Sequence, residues 1–205
     1  MCGIFGLAVK RESGMARAQW RQSIRQLFTL SETRGKEAAG LAIATTGSLF
    51  VTKDSVAASD MMKTREFGKL LERADGWFEG SDSNALAAIG HSRLVTNGLQ
   101  GIDSNNQPVW RDEIVVIHNG IVVNVDDLWE REKANGLAPR ADVDTEVIAA
   151  LISRYRREGA TVEAAISQVF QDIYGETSLA PFRRDTNATH LATTTGSRYM
   201  CVNAA

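Results

Sequence analysis

The sequence predicts an α+β fold with antiparallel sheets, and three observations carry that expectation. Strand-like and helix-like stretches arrive in blocks, not in strict βαβ alternation. Ala38 to Thr45 and Ser48 to Thr52 read as two short strands joined by a Thr46-Gly47 turn, a hairpin whose arms must run antiparallel. Further strand-like pieces at Ser178 to Phe182, His190 to Thr194 and Tyr199 to Val202 close the chain after its helices. With 205 residues, 43% of them hydrophobic and 23% charged, and no internal repeat or linker, one globular domain over 1–205 is the simplest account.

Taken in order, Ile4, Phe5, Leu7, Ala8 and Val9 form an apolar run suited to a buried strand. Ala16 to Leu30 reads as a helix, since Ile24, Leu27 and Phe28 recur three and four apart on one face. Thr33-Arg34-Gly35-Lys36 breaks that pattern ahead of the hairpin. Ser55 to Arg73 reads as a second helix, with Met61, Met62, Phe67, Leu70 and Leu71 as its core stripe. The Gly, Ser and Asp content of Asp75 to Asn84 marks a loop. Ala85 to Gly90 is a strand that delivers His91-Ser92-Arg93 at its end, and Glu113 to Ile117 is another that delivers His118-Asn119-Gly120. Between them, Asn97 to Pro108 has the turn composition of a long surface loop. Helices follow at Asp126 to Ala134, stopped by Asn135-Gly136, then from Asp142 through Tyr155, and at Thr161 to Ile173. Arg154, Arg156 and Arg157 suit the negative end of the middle one's dipole.

Charge narrows the function classes. A net charge of −2 gives no electrostatic case for nucleic acid or an anionic membrane, so neither is expected as a partner. No run of about 18 apolar residues and no secretory-type start is present, which points to the cytoplasm. The two cysteines, Cys2 and Cys201, lie at opposite ends, neither a disulfide framework nor a metal-ligand spacing. Cys201 reads as a buried small hydrophobe on a strand.

Cys2 reads differently. Trimming of Met1 would place a thiol and a free α-amino group on one residue. A free thiol has a pKa of roughly 8.5 and needs a base at neutral pH, whereas an α-amine at about 7.7 to 8 is such a base. Cys2 can therefore supply nucleophile and general base together, with Gly3 and Gly6 leaving room for close backbone approach.

Four further stretches share this polar character. Cys2-Gly3-Ile4-Phe5-Gly6, Arg34-Gly35-Lys36-Glu37-Ala38-Ala39-Gly40, His91-Ser92-Arg93-Leu94-Val95-Thr96-Asn97-Gly98, His118-Asn119-Gly120-Ile121-Val122-Val123-Asn124 and Val143-Asp144-Thr145-Glu146-Val147 occur in that order. Together they resemble the CGIxG, RGxDSxG, HTRWATHG, HNGxxxN and TDTEV strings of the class II glutamine amidotransferase domain, closest to the glucosamine-6-phosphate synthase and amidophosphoribosyltransferase type. The resemblance implies an N-terminal-nucleophile fold, a four-layer αββα sandwich with antiparallel sheets.

It also implies roles. L-glutamine offers a carboxylate, an ammonium and a side-chain amide; Arg93 would bind the carboxylate bidentately, with Thr96 and Asn97 beside it, and Asp144 would pair with the ammonium. The Cys2 thiolate would attack the amide, and the Asn119 side chain and Gly120 N–H would hold the resulting oxyanion. Arg34, Gly35, His91 and His118 would support the site, and the half-reaction needs no metal or organic cofactor. Three departures stand out: Glu37-Ala38 for Asp-Ser, Leu94-Val95 for Trp-Ala, and Asn97 for histidine. No synthetase domain is expected within 1–205, so ammonia would pass to a separate or fused acceptor domain. Two alternatives stay open: a hydrolase of other γ-glutamyl amides, and a catalytically silent glutamine-binding regulatory subunit.

Overall fold

A computed structural model describes residues 2–45, 47–80, 83–94, 105–183 and 189–194. Its first sheet has the strand order β1 (Gly3–Lys10), β4 (Ala85–Arg93), β2 (Ala38–Thr45), β3 (Ser48–Asp54), every neighbouring pair antiparallel. The second runs β5 (Val109–Arg111), β6 (Ile114–Gly120), β7 (Thr177–Arg183), β8 (Ala192–Thr193), again antiparallel throughout. The hairpin read from the sequence is the β2–β3 pair, with Thr45 opposite Ser48.

Among the described residues, three apolar clusters make four layers of these two sheets and six α-helices. Ala42, Ala44, Ala87 and Ile89 of the first sheet meet Val115, Ile117, Ala180 and Phe182 of the second. On the outer face of the first sheet lie α1 (Arg17–Glu32), α2 (Ala58–Met61) and α3 (Arg65–Asp75), whose Trp20, Ile24, Phe28, Met61 and Phe67 are buried against Leu41, Ile43, Leu86 and Ala88. Phe28 meets Phe5 edge-on at 4.8 Å and Phe67 at 5.9 Å, pairs worth about 0.5–1.5 kcal/mol each beyond their buried area. On the second sheet's outer face, α4 (Val125–Lys133), α5 (Asp144–Arg157) and α6 (Val162–Asp172) complete the sandwich.

Several sequence expectations are corrected. The helix expected over Ser55 to Arg73 is two, because Thr64 ends one turn and restarts the chain, its hydroxyl accepting from Phe67 N–H at 3.2 Å. β1 is an edge strand, with only Gly3 and Val9 fully buried. β4 and β6 continue through His91-Ser92-Arg93 and His118-Asn119-Gly120 instead of stopping before them. α5 is buried on every side from Thr145 to Ser153, since it is wedged between the sheet and its two neighbouring helices. The span Asn97 to Pro108 is not surface loop throughout: Asn105, Asn106 and Gln107 are buried. Cys201 and the strand expected at Tyr199 to Val202 lie outside the described residues. Among the described residues, no helix is long and apolar enough to cross a membrane.

Candidate active site

The first sheet brings its polar ends together through register. Gly3 lies opposite Ser92 and Ala38 opposite Arg93, so the start of β1, the start of β2 and the end of β4 lie side by side at one end of the strands. Cys2, one residue before β1, has its Sγ 3.4 Å from both the N–H and the carbonyl oxygen of Leu94. Arg34 Nε donates to the Cys2 carbonyl at 3.2 Å, tying the turn after α1 to the backbone of Cys2. Gly35 is needed there for space, because a Cβ would fall 2.3 Å from the Arg93 carbonyl carbon and 2.4 Å from Leu94 N. Beneath them the hydroxyls of Ser31 and Ser92 share a hydrogen bond of 2.7 Å.

The second sheet contributes the end of β6, and the helix layer on it contributes the start of α5. His118 is buried, its Nδ1 3.6 Å from Asp144 Oδ1 and 3.5 Å from Thr145 Oγ1. Asp144 does not cap its helix, whose N-cap is Val143; its Oδ2 accepts from the Val122 N–H at 3.1 Å. Gly120 closes against the second sheet so tightly that a Cβ would sit 1.9 Å from the Glu176 carbonyl oxygen. Any side chain there would displace the backbone that follows Asn119.

The segment Asn105 to Pro108 joins the two halves. Asn105 Oδ1 accepts from Asp142 N–H at 2.8 Å, Asn106 Oδ1 accepts from Arg93 Nη1 at 2.6 Å, and the Gln107 side chain pairs with the His118 backbone in both directions, at 3.0 and 2.5 Å. Sequence reasoning missed all three residues. Their one signal is a run of amides before a proline, which an exposed turn shares.

Electrostatics tie the groups into one site. Burial pushes the Cys2 thiol up, with Arg93 pulling it down and Asp144 adding to the rise. Burial lowers Arg93, while Cys2, Asp144 and Glu37 act the other way. Asp144 is raised by burial, but His118 and the Val122 N–H outweigh that and hold it below the usual carboxylate range. His91 is driven down to about 3 by burial, then by the charges of His118 and Arg93. It is a neutral imidazole at any ordinary pH.

Cys2, Arg93, Asp144, His91 and His118 thus converge, with Arg34 and Gly35 beside Cys2 and Asn119 and Gly120 ending β6 beside His118. Thr96 and Asn97 lie outside the described residues. Residues 91–200 match the family model of the glutamine amidotransferase domain, more than half of the chain. The chain belongs to the glutamine amidotransferase family.

This amidotransferase domain is of the class II, N-terminal-nucleophile type. It is 28% identical over 196 residues to glutamine–fructose-6-phosphate aminotransferase (isomerizing) of Rhizobium meliloti, a match covering 96% of this chain and 29% of that one. With the enzyme of the same name from Aquifex aeolicus it shares 38% identity over 140 residues, 67% of this chain and 21% of the other. The glutamine phosphoribosylpyrophosphate amidotransferase of B. subtilis has the same fold, with a TM-score of 0.68 at 24% identity over 94% of this chain and 37% of that one. The allosteric regulatory enzyme of purine biosynthesis gives a TM-score of 0.63 at 25% identity over 89% of this chain and 36% of that one. The domain therefore spans under a third of the length of the curated relatives it matches.

Proposed function

We propose that this domain catalyses the glutaminase half-reaction on free L-glutamine and supplies the ammonia to an acceptor domain, fused or separate, in the cytoplasm. The carrying observation is the geometry that brings Cys2, with Sγ 3.4 Å from the backbone of Leu94, next to Arg93 at the end of β4, while Asp144 at the start of α5 is near enough to act on the ionisation of both. That set matches glutamine's amide, carboxylate and ammonium. The relatives are named for reactions in which glutamine accompanies a second substrate, fructose 6-phosphate or phosphoribosyl pyrophosphate.

In this mechanism Met1 is removed, and the α-amino group of Cys2 accepts the Sγ proton. The need for that base follows from the burial that raises the thiol's pKa. The thiolate attacks the amide carbon while Arg93 and Asp144 hold the two ends of the amino acid. The electron pair displaced from the carbonyl becomes an oxyanion, which the Asn119 side-chain N–H and the Gly120 N–H stabilise. As the oxyanion collapses, the C–N bond breaks and the α-ammonium returns its proton to the departing nitrogen, giving ammonia and a γ-glutamyl thioester on Cys2. Water, deprotonated by the same amine, attacks the thioester; glutamate leaves and Sγ recovers its proton.

The test is glutamate and ammonia release from L-glutamine, with intact mass recorded on the same sample. Protein lacking Met1 is expected to release both, and Cys2→Ser to lose release by at least about a thousandfold, as removal of a covalent nucleophile does. Processed protein that binds glutamine without releasing glutamate, or that cleaves only other γ-glutamyl amides, would sink the proposal.

A further inference from the structure

The buried amide of Asn106 performs a task that neither the motif strings nor the reaction scheme assigns. Its side chain has no exposed surface and bridges two elements: Oδ1 accepts from Arg93 Nη1 at 2.6 Å, and Nδ2 donates to Ser55 Oγ at 2.9 Å. The Arg93 contact fixes the amide's orientation, because a flipped amide would turn its N–H₂ toward a guanidinium that can only donate, whereas the Ser55 hydroxyl would serve either way round. The backbone is fixed as well. Lys53 Nζ donates to the Asn106 carbonyl at 2.7 Å and to that of Pro108 at 3.3 Å. The end of β3 thus holds Asn106, and Asn106 holds Arg93.

We propose that Asn106 is a positioning residue for substrate recognition: through Arg93 it sets the grip on the α-carboxylate of the γ-glutamyl substrate. The inference rests on the reading of Arg93 given above. A guanidinium binds a carboxylate well when its fork is coplanar with it, so an acceptor that fixes the plane before substrate arrives removes an ordering cost from binding. Neutrality matters equally. A carboxylate at 106 would accept the same hydrogen bond but offer Arg93 a permanent counter-ion, which would compete with the substrate's own carboxylate.

The variants are Asn106→Ala and the near-isosteric Asn106→Asp, with thermal melts to establish folding. KM for L-glutamine is expected to rise about tenfold in N106A, in proportion to a lost hydrogen bond to a charged group, with kcat within about twofold. In N106D the rise is expected to be larger. A merely structural amide predicts the reverse order, since the isostere would fit best, and a loss carried by kcat. Dissociation constants for L-glutamine on a Cys2→Ser background separate the outcomes. Binding that weakens in the order N106A then N106D supports the proposal even if the Cys2 protein has no turnover, which would indict the reaction alone. Unchanged binding in either folded variant, or no binding by C2S protein, overturns it.

Discussion

Cys2 sits where burial raises its thiol pKa while Arg93 opposes the rise, so the resting group is a protonated thiol next to a fixed cation. In the proposed mechanism its activation depends on an amine with a pKa of about 7.7 to 8, and kcat/KM for glutamine is then expected to climb as pH rises from 6 to 8 and level off above. A profile flat over that interval would exclude the α-amine as base. His91 makes a second, separable prediction. Its folded pKa of about 3 lies below the unfolded value near 6.5, so the folded state refuses a proton that the unfolded chain accepts. Stability is therefore fully present above pH ~6.5 and is lost as pH falls toward 3, by at most about 1.4 kcal/mol per pH unit from this residue. Urea midpoints measured from pH 7 down to 4.5 are expected to fall more steeply in the native protein than in His91→Gln.

The element that organises the site is the segment Asn105 to Pro108, which ties β4 through Asn106, β6 through Gln107 and the approach to α5 through Asn105. Gln107 supplies a donor and an acceptor to the backbone of buried His118, as a neighbouring strand would. Truncation in Gln107→Ala leaves both groups unpaired, at about 1–3 kcal/mol for each buried group. Because His118 immediately precedes Asn119, kcat is expected to drop more than KM changes; loss of stability alone, with kcat intact, would show that the end of β6 keeps its geometry unaided. This element also marks the limit of what is legible in the sequence. Cys2, Arg93, His118 to Gly120 and Asp144, the residues of the proposed site, can be singled out because the chemistry proposed for them asks for those residue types in short local strings. The hairpin of β2 and β3 can be found because its turn is local. Asn105 to Gln107 cannot, because an amide run before proline has the same composition in an exposed turn as in a buried joint. What separates them is a set of partners 11 to 53 residues away. The break at Thr64 and the all-round burial of α5 escape for the same reason, since each depends on packing that periodicity does not encode.

At the scale of the molecule, three apolar clusters hold four layers among the described residues, and a buried Arg–Glu pair crosses from the second sheet to a helix in the interior. Arg111 on β5 and Glu146 on α5 pair through Nη1 and Oε1, with both side chains only 3% exposed. The same guanidinium nitrogen donates to the Ala138 carbonyl at 3.0 Å, and the guanidinium lies 5.5 Å from the centre of the Trp129 ring. Glu146 stands two residues after Asp144, so this contact anchors the helix end that presents the proposed ammonium partner. Desolvating both charges cancels most of their attraction, and the pair is not expected to add much net stability over apolar residues of similar volume. Breaking it is another matter. Arg111→Met would leave the Glu146 carboxylate buried without its counter-charge, a loss of about 3–5 kcal/mol, or the group would take up a proton and make stability strongly pH-dependent. The double variant Arg111→Met, Glu146→Leu removes the stranded charge and is expected to recover most of that loss in chemical denaturation. KM for glutamine in the double variant then reports whether the pair positions Asp144: a native KM assigns it to assembly of the helix layer, and a raised KM with native stability assigns it to the site.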